Sequence, residues 1–272
     1  MYILNGKELD FRQAKVMTII NTTPDSFYDG GKHLSEIELN AKIQQAISEK
    51  TDVLDIGGYS TRPNAEEIST EEEIKRILPA IRLAKKENVF ISLDTFRSEV
   101  ARVGIEEGVD IINDVSGGEL DDKMYDIVSG HPIAYVCMHM RGNPKTMQGL
   151  SIYNDIKQDV YQYFEKKIQK LKEKNIHNVI LDLGFGFSKT TEQSFFLLNN
   201  LRYFQQLDYP ILTGFSRKSI IYKTLEASSE NALNGTTVLN TIALLNGSKM
   251  LRVHDTKEAK EVVTLIKAYQ RK

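Results

Sequence analysis

The sequence predicts an α/β fold of the TIM (β/α)8 barrel class, formed by a single domain. Eight short apolar runs rich in β-branched residues recur along the chain, and a longer helical pattern follows each of them. The runs are almost continuously hydrophobic, which is typical of parallel strands that are buried on both faces. The chain has 272 residues, which is close to the length of about 250 that is usual for this fold.

The eight runs give the predicted strands in order. They are 16–21, 52–57, 89–94, 110–115, 133–138, 178–183, 210–215 and 249–254. An open doubly wound sheet would usually need fewer strands and a G-x-G-x-x-G fingerprint, and no such fingerprint follows the first run. The lead-in 1–15 is predicted to form a β-hairpin that turns within NGKE and caps the barrel bottom. The whole chain 1–272 is therefore interpreted as one domain.

The segments between the strands carry signals for helix starts. Ser35 precedes Glu38 by three residues, which is the spacing of a capping box. Thr70 is the predicted cap of the next helix, and Pro79 within that helix predicts a kink or a division into two helices. Asp255 is the predicted cap of the last helix.

Composition and charge limit the partners of the chain. A formal net charge of −2 gives no global attraction to nucleic acid or to an anionic membrane. An anionic ligand must therefore be bound by a local cluster of cations. The single cysteine, Cys137, excludes an intrachain disulfide and indicates a reducing compartment. There is no signal-peptide pattern and no apolar run of about 20 residues, so a cytoplasmic location is expected.

Polar residues close nearly every predicted strand. In this fold the carboxyl ends of the strands form the active site. The residues at these ends are Asn21, Gly57, Gly58, Asp94, Asn113, Asp114, Met138, His139, Asp182, Gly214, Arg252 and His254. The loops just beyond add Thr61, Arg62, Ser216, Arg217, Lys218 and Ser219. Each residue alone is more typical of a turn or a helix cap, but the convergence of the set on one rim indicates a binding site.

Two chemistries are present in this set. The cationic or hydrogen-bond-donating residues are Thr61, Arg62, Lys218, Ser219, Arg252 and His254. They suit phosphate groups, which barrels often bind in the loops after strands seven and eight. Asp94, Asn113 and Asp182 suit a flat heterocycle, because a carboxylate can accept two parallel hydrogen bonds from an amino-pyrimidine edge. A structural ion-pair network could use the same residues, and the sequence leaves that alternative open.

The signals for metal binding are weaker. The five histidines are scattered and there is no cysteine cluster, which argues against zinc. The amide oxygen of Asn21, the carboxylate of Asp25 and a diphosphate would suit Mg²⁺. Cys137 is interpreted as a core residue, and His139 as a buried histidine with hydrogen-bond partners.

Several segments resemble those of the dihydropteroate synthase family. They are NTTPDSFYDGG, DIGGYSTRP, SLDTF, INDVSGG, MHM, LDLGFGF, GFSRKS and RVHD, in order and at matching strand ends between about 16 and 255. The resemblance implies a TIM barrel that is usually a homodimer and a target of sulfonamides. It also implies an alkyl-group transferase of folate biosynthesis. The implied reaction condenses 6-hydroxymethyl-7,8-dihydropterin diphosphate with p-aminobenzoate to give 7,8-dihydropteroate and diphosphate.

The resemblance also implies roles for individual residues. Asn21 corresponds to the ligand of Mg²⁺ and diphosphate. The implied pterin contacts are Asp94, Asn113, Met138, Asp182, Phe187 and Lys218. The implied diphosphate contacts are Thr61, Arg62, Arg252 and His254. The implied aminobenzoate contacts are Phe27, Pro63, Lys218 and Ser219. Within this set, the residues expected to be catalytic are Asp94, Arg62 and Lys218.

The chemistry implied by the resemblance needs no nucleophilic side chain. The C–O bond to diphosphate breaks first, the pterin stabilises the resulting cation, and the arylamine then attacks. The loops TTPDSFYDGG and GGYSTRPNAEE are expected to be mobile and to exclude water by closing. The chain departs from the family at Tyr59, where glutamate is usual, and at Leu183, where proline is usual. Neither departure removes an expected ligand.

Two other interpretations remain open at this point. A methyltransferase domain that uses methyltetrahydrofolate would share the barrel and the Asp/Asn pterin set, but it handles no diphosphate, so STRP, SRKS and RVHD argue against it. A non-catalytic pterin-binding paralogue would be expected to lack Asn21, Arg62, Lys218 or His254, and all four are present.

Overall fold

The structure is a computed structural model that describes residues 1–23, 36–60 and 67–270. Eight parallel strands close into a barrel in the order β10-β3-β4-β5-β6-β7-β8-β9, which confirms the predicted fold. The strands are β1 Tyr2–Leu4, β2 Lys7–Leu9, β3 Lys15–Asn21, β4 Val53–Gly57, β5 Phe90–Asp94, β6 Ile111–Asp114, β7 Ala134–Met138, β8 Val179–Asp182, β9 Ile211–Thr213 and β10 Met250–Val253. Seven of the eight predicted runs contain one barrel strand each, and the first run matches β3 except that the strand begins one residue earlier, at Lys15.

Helices surround the barrel. Those in the described ranges are α1 Glu36–Ser48, α2 Thr70–Ala84, α3 Ser98–Glu107, α4 Met124–Val128, α5 Ile156–Glu173, α6 Thr191–Asn199, α7 Ser219–Tyr222, α8 Leu233–Leu245 and α9 Thr256–Tyr269. Their apolar faces and the outward-facing strand residues form one large core, which includes Ile56 of β4, Ile77 of α2 and Phe164 of α5. In these ranges no helix combines the length and the apolar character needed to cross a membrane.

The N-terminal strands β1 and β2 form an antiparallel hairpin that closes the lower end of the barrel. Its turn is at Asn5-Gly6, where both residues have positive φ. Leu4 and Leu9 are fully buried and pack on the first inward-facing residues of the barrel strands, including Met17 and Val53. The hairpin thus lies where the sequence predicted it, at the end opposite the carboxyl ends of the strands.

Two details of the helices differ from the sequence-based predictions. The cap of α2 is Ser69, whose hydroxyl accepts the backbone N–H of Glu72 at 3.2 Å, so the prediction of Thr70 was wrong by one residue. The helix also continues through Pro79, so the division into two helices was wrong. The predicted cap at Ser35 lies outside the described residues.

Candidate active site

Side-chain alternation along β4 and β5 separates the barrel interior from the outer core. Leu54 and Ile56 face the helices, so Val53, Asp55 and Gly57 face the interior. The parallel register places Gly57 beside Asp94, and Asp94 beside Asn113 of β6. Residues from three separate predicted strands therefore meet inside the upper end of the barrel.

Arg252 joins two of the interior carboxylates. Its Nε donates to Asp55 Oδ2 at 2.6 Å, and its Nη2 donates to Asp94 Oδ2. Asn113 Nδ2 also donates to Asp55 Oδ2, at 3.1 Å. Part of the ion-pair network that the sequence left open is thus present. It joins the predicted pterin contacts Asp94 and Asn113 to the predicted diphosphate contact Arg252 through Asp55.

Asp55 is a site residue that sequence reasoning missed. It is fully buried, and its Oδ1 has no hydrogen-bond partner. It lies in the middle of an apolar run rather than at a strand end, so it was interpreted only as part of the strand. The signal that could have found it was its spacing of two residues from Gly57, which puts both positions on the interior face.

Asp182 and Lys218 form the second part of the interior cluster. Lys218 Nζ donates to the carbonyl oxygen of Phe185 at 2.8 Å and lies 4.8 Å from the centroid of the Phe187 ring. Asp182 Oδ1 accepts the backbone N–H of Gly184 at 2.8 Å. The loop after β8 is therefore anchored both to its own strand and to the lysine of the β9 loop.

Burial shifts the protonation equilibria of these groups. Loss of solvation raises the pKa of Asp94 to about 7, although Arg252 opposes the shift. It also raises the pKa of Asp182, against the effect of Lys218. For Lys218, burial lowers the pKa to about 8, and Asp182 limits the change. Burial disfavours the charge of Arg252 too, but Asp55 and Asp94 hold its pKa above the ordinary value.

An apolar wall stands beside the charged cluster. Met138 is buried against Val115, Met140 and Met147, and Phe187 packs on the same group. A flat ring bound between the wall and the carboxylates would contact carbon on one side and hydrogen-bond acceptors at its edge.

The loops after β9 and β10 are linked by side chains. Ser216 Oγ accepts the backbone N–H of His254 at 3.1 Å and lies 2.9 Å from its Nδ1. Asp255 occupies the cap position of α9, but it makes no capping hydrogen bond there. The position of the cap is thus as predicted, but the carboxylate of Asp255 binds Arg217 instead of the helix backbone.

Two other predictions concern single residues. Cys137 is buried in the core, as predicted, and burial raises the pKa of its thiol to about 12. His139 is buried, as predicted, and its Nδ1 lies 2.8 Å from the Nζ of Lys189. Lys189 also donates to the carbonyl oxygens of His139, Gly184 and Phe187, so it links the loop after β8 to the end of β7. The sequence analysis did not single out Lys189.

The two departures from the family pattern both pack against other residues. The ring of Tyr59 meets Phe96 edge to face, with centroids 5.1 Å apart, and the guanidinium of Arg97 lies 5.1 Å from its centroid. Leu183 is fully buried in the main core.

Some predicted site residues cannot be placed. Phe27, Thr61, Arg62, Pro63 and the suggested metal ligand Asp25 lie outside the described residues, as do most of the two loops expected to move. In the described part of the chain, no three His, Cys, Asp or Glu side chains are grouped so as to hold a metal.

Asn21 lies at the upper end of β3. A Cβ built on Gly57 would be 3.9 Å from Asn21 Oδ1 and 3.8 Å from Asp94 Oδ2, so both oxygens lie close to this glycine. The upper barrel thus combines three carboxylates, two amides and two cations, of which Asp55 and Asp182 are buried and Asp94 is partly exposed. Such a set can bind a flat ligand with N–H donors and an attached anionic group.

Comparison with known proteins agrees with this chemistry. The family described as "Pterin binding enzyme" matches residues 17–254. The dihydropteroate synthase of Escherichia coli K12 is 38% identical over 270 residues, which cover 97% of this chain and 94% of that protein. The folic acid synthesis protein fol1 of Schizosaccharomyces pombe is 41% identical over 98% of this chain, but the chain spans only 37% of its length.

Solved structures give the same result. A Yersinia pestis dihydropteroate synthase in complex with a sulfonamide drug superposes with a TM-score of 0.93 at 32% identity, covering 98% of each chain. A Xanthomonas albilineans dihydropteroate synthase with 4-aminobenzoic acid has a TM-score of 0.92 at 33% identity and covers 100% of this chain and 98% of that one. The chain belongs to the pterin binding enzymes and, within them, to the dihydropteroate synthase family.

Proposed function

We propose that the protein is a dihydropteroate synthase. It condenses 6-hydroxymethyl-7,8-dihydropterin diphosphate with p-aminobenzoate and releases 7,8-dihydropteroate and diphosphate. The observation that carries the proposal is the buried Asp/Asn/Lys/Arg cluster at the carboxyl end of a barrel that is closely similar to enzymes of this name. Solved relatives hold 4-aminobenzoic acid and 7,8-dihydropteroate, at 33% and 31% identity.

The pterin is assigned to the interior cluster. Asp94, Asn113 and Asp182 supply acceptors and donors for its ring edge, and Met138 and Phe187 contact its faces. Burial raises the pKa of Asp94, although Arg252 opposes the shift, so this carboxyl takes up a proton more readily than a solvated aspartate does. Arg252 would have to exchange part of its contact with Asp94 for the ligand, while its bond to Asp55 keeps it in place.

The diphosphate and the aminobenzoate are assigned to the rim. Arg252 and His254 would bind the diphosphate together with Thr61 and Arg62. Lys218 lies between the two subsites, next to Phe187. The carboxylate of p-aminobenzoate is assigned to Ser219, with Phe27 and Pro63 around the ring.

The residues fit a reaction in which bond breaking precedes bond making. The C–O bond of the pterin methylene breaks, and its electron pair leaves with the diphosphate. The cations at the rim stabilise the negative charge that develops there. The carboxylates of Asp94 and Asp182 stabilise the pterinylmethyl cation. The arylamine nitrogen then attacks the methylene carbon and loses a proton.

Mg²⁺ is proposed as the cofactor. The amide oxygen of Asn21 lies beside Gly57 and near Asp94 Oδ2, and amide and carboxylate oxygens suit a hard cation that takes most of its ligands from phosphate and water. When bound, the ion would neutralise charge on the diphosphate. The fit can be tested without catalysis, by measuring whether Mg²⁺ strengthens diphosphate binding to the wild type but not to Asn21→Ala.

A homodimer is proposed as the assembly. Val238 and Ile242 lie one turn apart on α8 and are 48% and 37% exposed, and Leu225 after α7 is 55% exposed. Phe196 on neighbouring α6 is 46% exposed. Apolar patches of this kind commonly mark protein interfaces. Light scattering after gel filtration should give a dimer for the wild type and a monomer for Val238→Asp.

The proposed setting is the cytoplasm, where the single buried thiol of Cys137 would stay reduced. Sulfonamides are proposed to compete with p-aminobenzoate, as analogues of its ring and acidic end. The second proposal follows from the reaction and is tested directly by competition kinetics.

The reaction is tested by mixing purified protein with the pterin diphosphate and Mg²⁺, with and without p-aminobenzoate. Release of diphosphate that depends on p-aminobenzoate, together with formation of dihydropteroate, is expected. Pterin binding without release at high p-aminobenzoate would reject the synthase and favour a non-catalytic pterin-binding protein.

A further inference from the structure

Arg217 has an unusual backbone conformation. Its φ is +55°, in the left-handed region, and it lies directly between Ser216 and Lys218 in the loop after β9. Side chains other than glycine rarely adopt this region, and they remain there only when surrounding contacts hold them. The contacts of Arg217 therefore indicate which interactions stabilise this conformation.

The side chain of Arg217 is bound on several sides. Its Nη2 and Nε donate to the two carboxylate oxygens of Asp255, at 2.7 and 3.0 Å. Its Nη1 reaches the carbonyl oxygen of Glu230 at 3.3 Å, and its backbone N–H donates to Thr236 Oγ1 at 3.1 Å. The two-point ion pair fixes both the distance and the orientation of the guanidinium. None of the three partners belongs to the set assigned to substrates.

The residues next to this ion pair do belong to that set. Lys218 follows Arg217, has an extended backbone with φ −78° and ψ 159°, and sends its Nζ to the Phe185 carbonyl oxygen. His254 precedes Asp255 and is linked to Ser216. The Arg217–Asp255 pair thus joins the β9 loop to the β10 loop directly behind two groups that face the substrates.

We propose that Arg217 and Asp255 are positioning residues, which hold Lys218, Ser219 and His254 in the geometry that the reaction needs. The inference rests on the proposed function of the upper barrel. The pair itself touches no substrate. It acts through the backbone of the two loops, and a displacement of about 1 Å at such a site can cost on the order of 100-fold in rate.

The test compares Arg217→Gly, Asp255→Asn and the double variant with wild type. Glycine adopts the left-handed conformation without strain, so Arg217→Gly removes the ion pair while it permits the turn. Asp208→Gly is a matched control, because Asp208 has φ +59° and is exposed just before β9, at the opposite end of the barrel. Arg102→Ala is a second control, which removes a two-point ion pair with Glu99 on the surface of α3.

Three quantities are measured for each variant. They are kcat, KM for each substrate, and the amide hydrogen exchange of peptides that cover 216–222. We expect both single variants to raise KM for p-aminobenzoate and to lower kcat/KM by about 10- to 100-fold. The kcat/KM of the double variant should be at most about threefold lower than that of Arg217→Gly, because the two residues act as one unit. Exchange in 216–222 should accelerate, and both controls should match wild type.

The proposal is overturned if the folded variants keep wild-type KM and kcat, even where their melting temperature falls, because the pair would then serve stability alone. If Arg217→Gly does not fold, Arg217→Lys is measured instead, because it keeps the charge but not the two-point geometry. A wild-type KM of Arg217→Lys would also reject the proposal. The wild type could also form no dihydropteroate while the variants show faster amide hydrogen exchange in 216–222. That result would support the link between the two loops and reject the proposed function instead.

Discussion

The two ends of the barrel interior are built from the same alternation of side chains but have opposite chemistry. The lower end is apolar, with Met17 and Val53 packed under Leu4 and Leu9 of the hairpin. The upper end contains Asp55 and Asp94 linked by Arg252. The lower end thus buries hydrocarbon, while the upper end keeps ionised groups away from water at a cost in solvation.

This difference separates stability from function within one core. The apolar layer gains free energy from burial, whereas the charged layer contains residues that are proposed to bind the pterin. Changes at the lower end should therefore lower the free energy of unfolding and spare activity. Changes at the upper end should lower activity, and they should affect stability only where a charge loses its partner.

Asp55→Ala should have the largest combined effect on stability and activity, because Asp55 is a buried ion-pair partner and also holds Arg252 in the site. It leaves Arg252 Nε and Asn113 Nδ2 without their buried acceptor. Breaking such a pair should cost about 3–5 kcal/mol of unfolding free energy and should also displace Arg252 from the site. Urea unfolding and dihydropteroate formation measure the two effects. A loss of less than about 1 kcal/mol would show that the charged layer is not also structural.

Asp94→Asn should lower activity without lowering stability, because it removes the charge of the side chain while keeping its shape. We expect kcat/KM to fall roughly 100- to 1,000-fold, since a preorganised charge at the reacting group is lost. The melting temperature should be unchanged or higher, because Arg252 keeps Asp55. Steady-state kinetics and calorimetry on the same preparation measure both quantities. Activity within about fivefold of wild type would show that Asp94 has no major role, because loss of one such group normally costs far more.

Leu9→Ala is the converse change at the lower end. Leu9 is fully buried under the barrel, so the substitution should cost about 2–4 kcal/mol of unfolding free energy. The kcat/KM of the folded fraction should stay close to wild type. A large loss of activity at a temperature where the variant is folded would contradict the separation of the two ends.

The smallest expected effect is the pH dependence of stability. The pKa of Asp94 rises from 3.8 to about 7 on folding, so between these pH values the folded state holds a proton that the unfolded state has lost. The free energy of unfolding should therefore fall as the pH rises from about 4 to 7. Asp94→Asn should remove this fall, and urea titrations at several pH values would measure it. An unchanged slope in the variant would exclude Asp94 as its source.

Lys218 should act with the opposite sign. Its pKa falls from 10.5 to about 8 on folding, so the unfolded state holds the additional proton between these values. The free energy of unfolding should increase as the pH rises through that range. Lys218→Met should flatten the increase, which the same urea titrations would measure.

Much of the fold was predictable from the sequence, for reasons that particular residues illustrate. A strand buried on both faces must be apolar throughout, so all eight runs could be located. The ends of parallel strands share one rim, so Asp94, Asn113 and Asp182 could be grouped from their positions along the chain. The sequence rules for helix caps were less exact. Ser69 and Thr70 are both good caps, and sequence alone does not decide between them.

The contacts within the site could not be predicted in the same way. Arg252 was assigned to diphosphate from the resemblance, but its bonds to Asp55 and Asp94 join residues 197 and 158 positions apart. No local pattern encodes such a pairing. Asp255 shows the same limit, because its position predicts a helix cap while the fold places Arg217 within its reach.

The most direct test of the division between the two ends is a crystal structure of the protein with 7,8-dihydropteroate. We expect the pterin ring among Asp94, Asn113 and Asp182, the carboxylate of the product near Ser219, and a lower end that is unchanged. Arg252 should keep its bond to Asp55 and adjust its bond to Asp94. A pterin bound outside the barrel, with both ion pairs of Arg252 intact, would contradict the assignment of the charged layer to substrate binding.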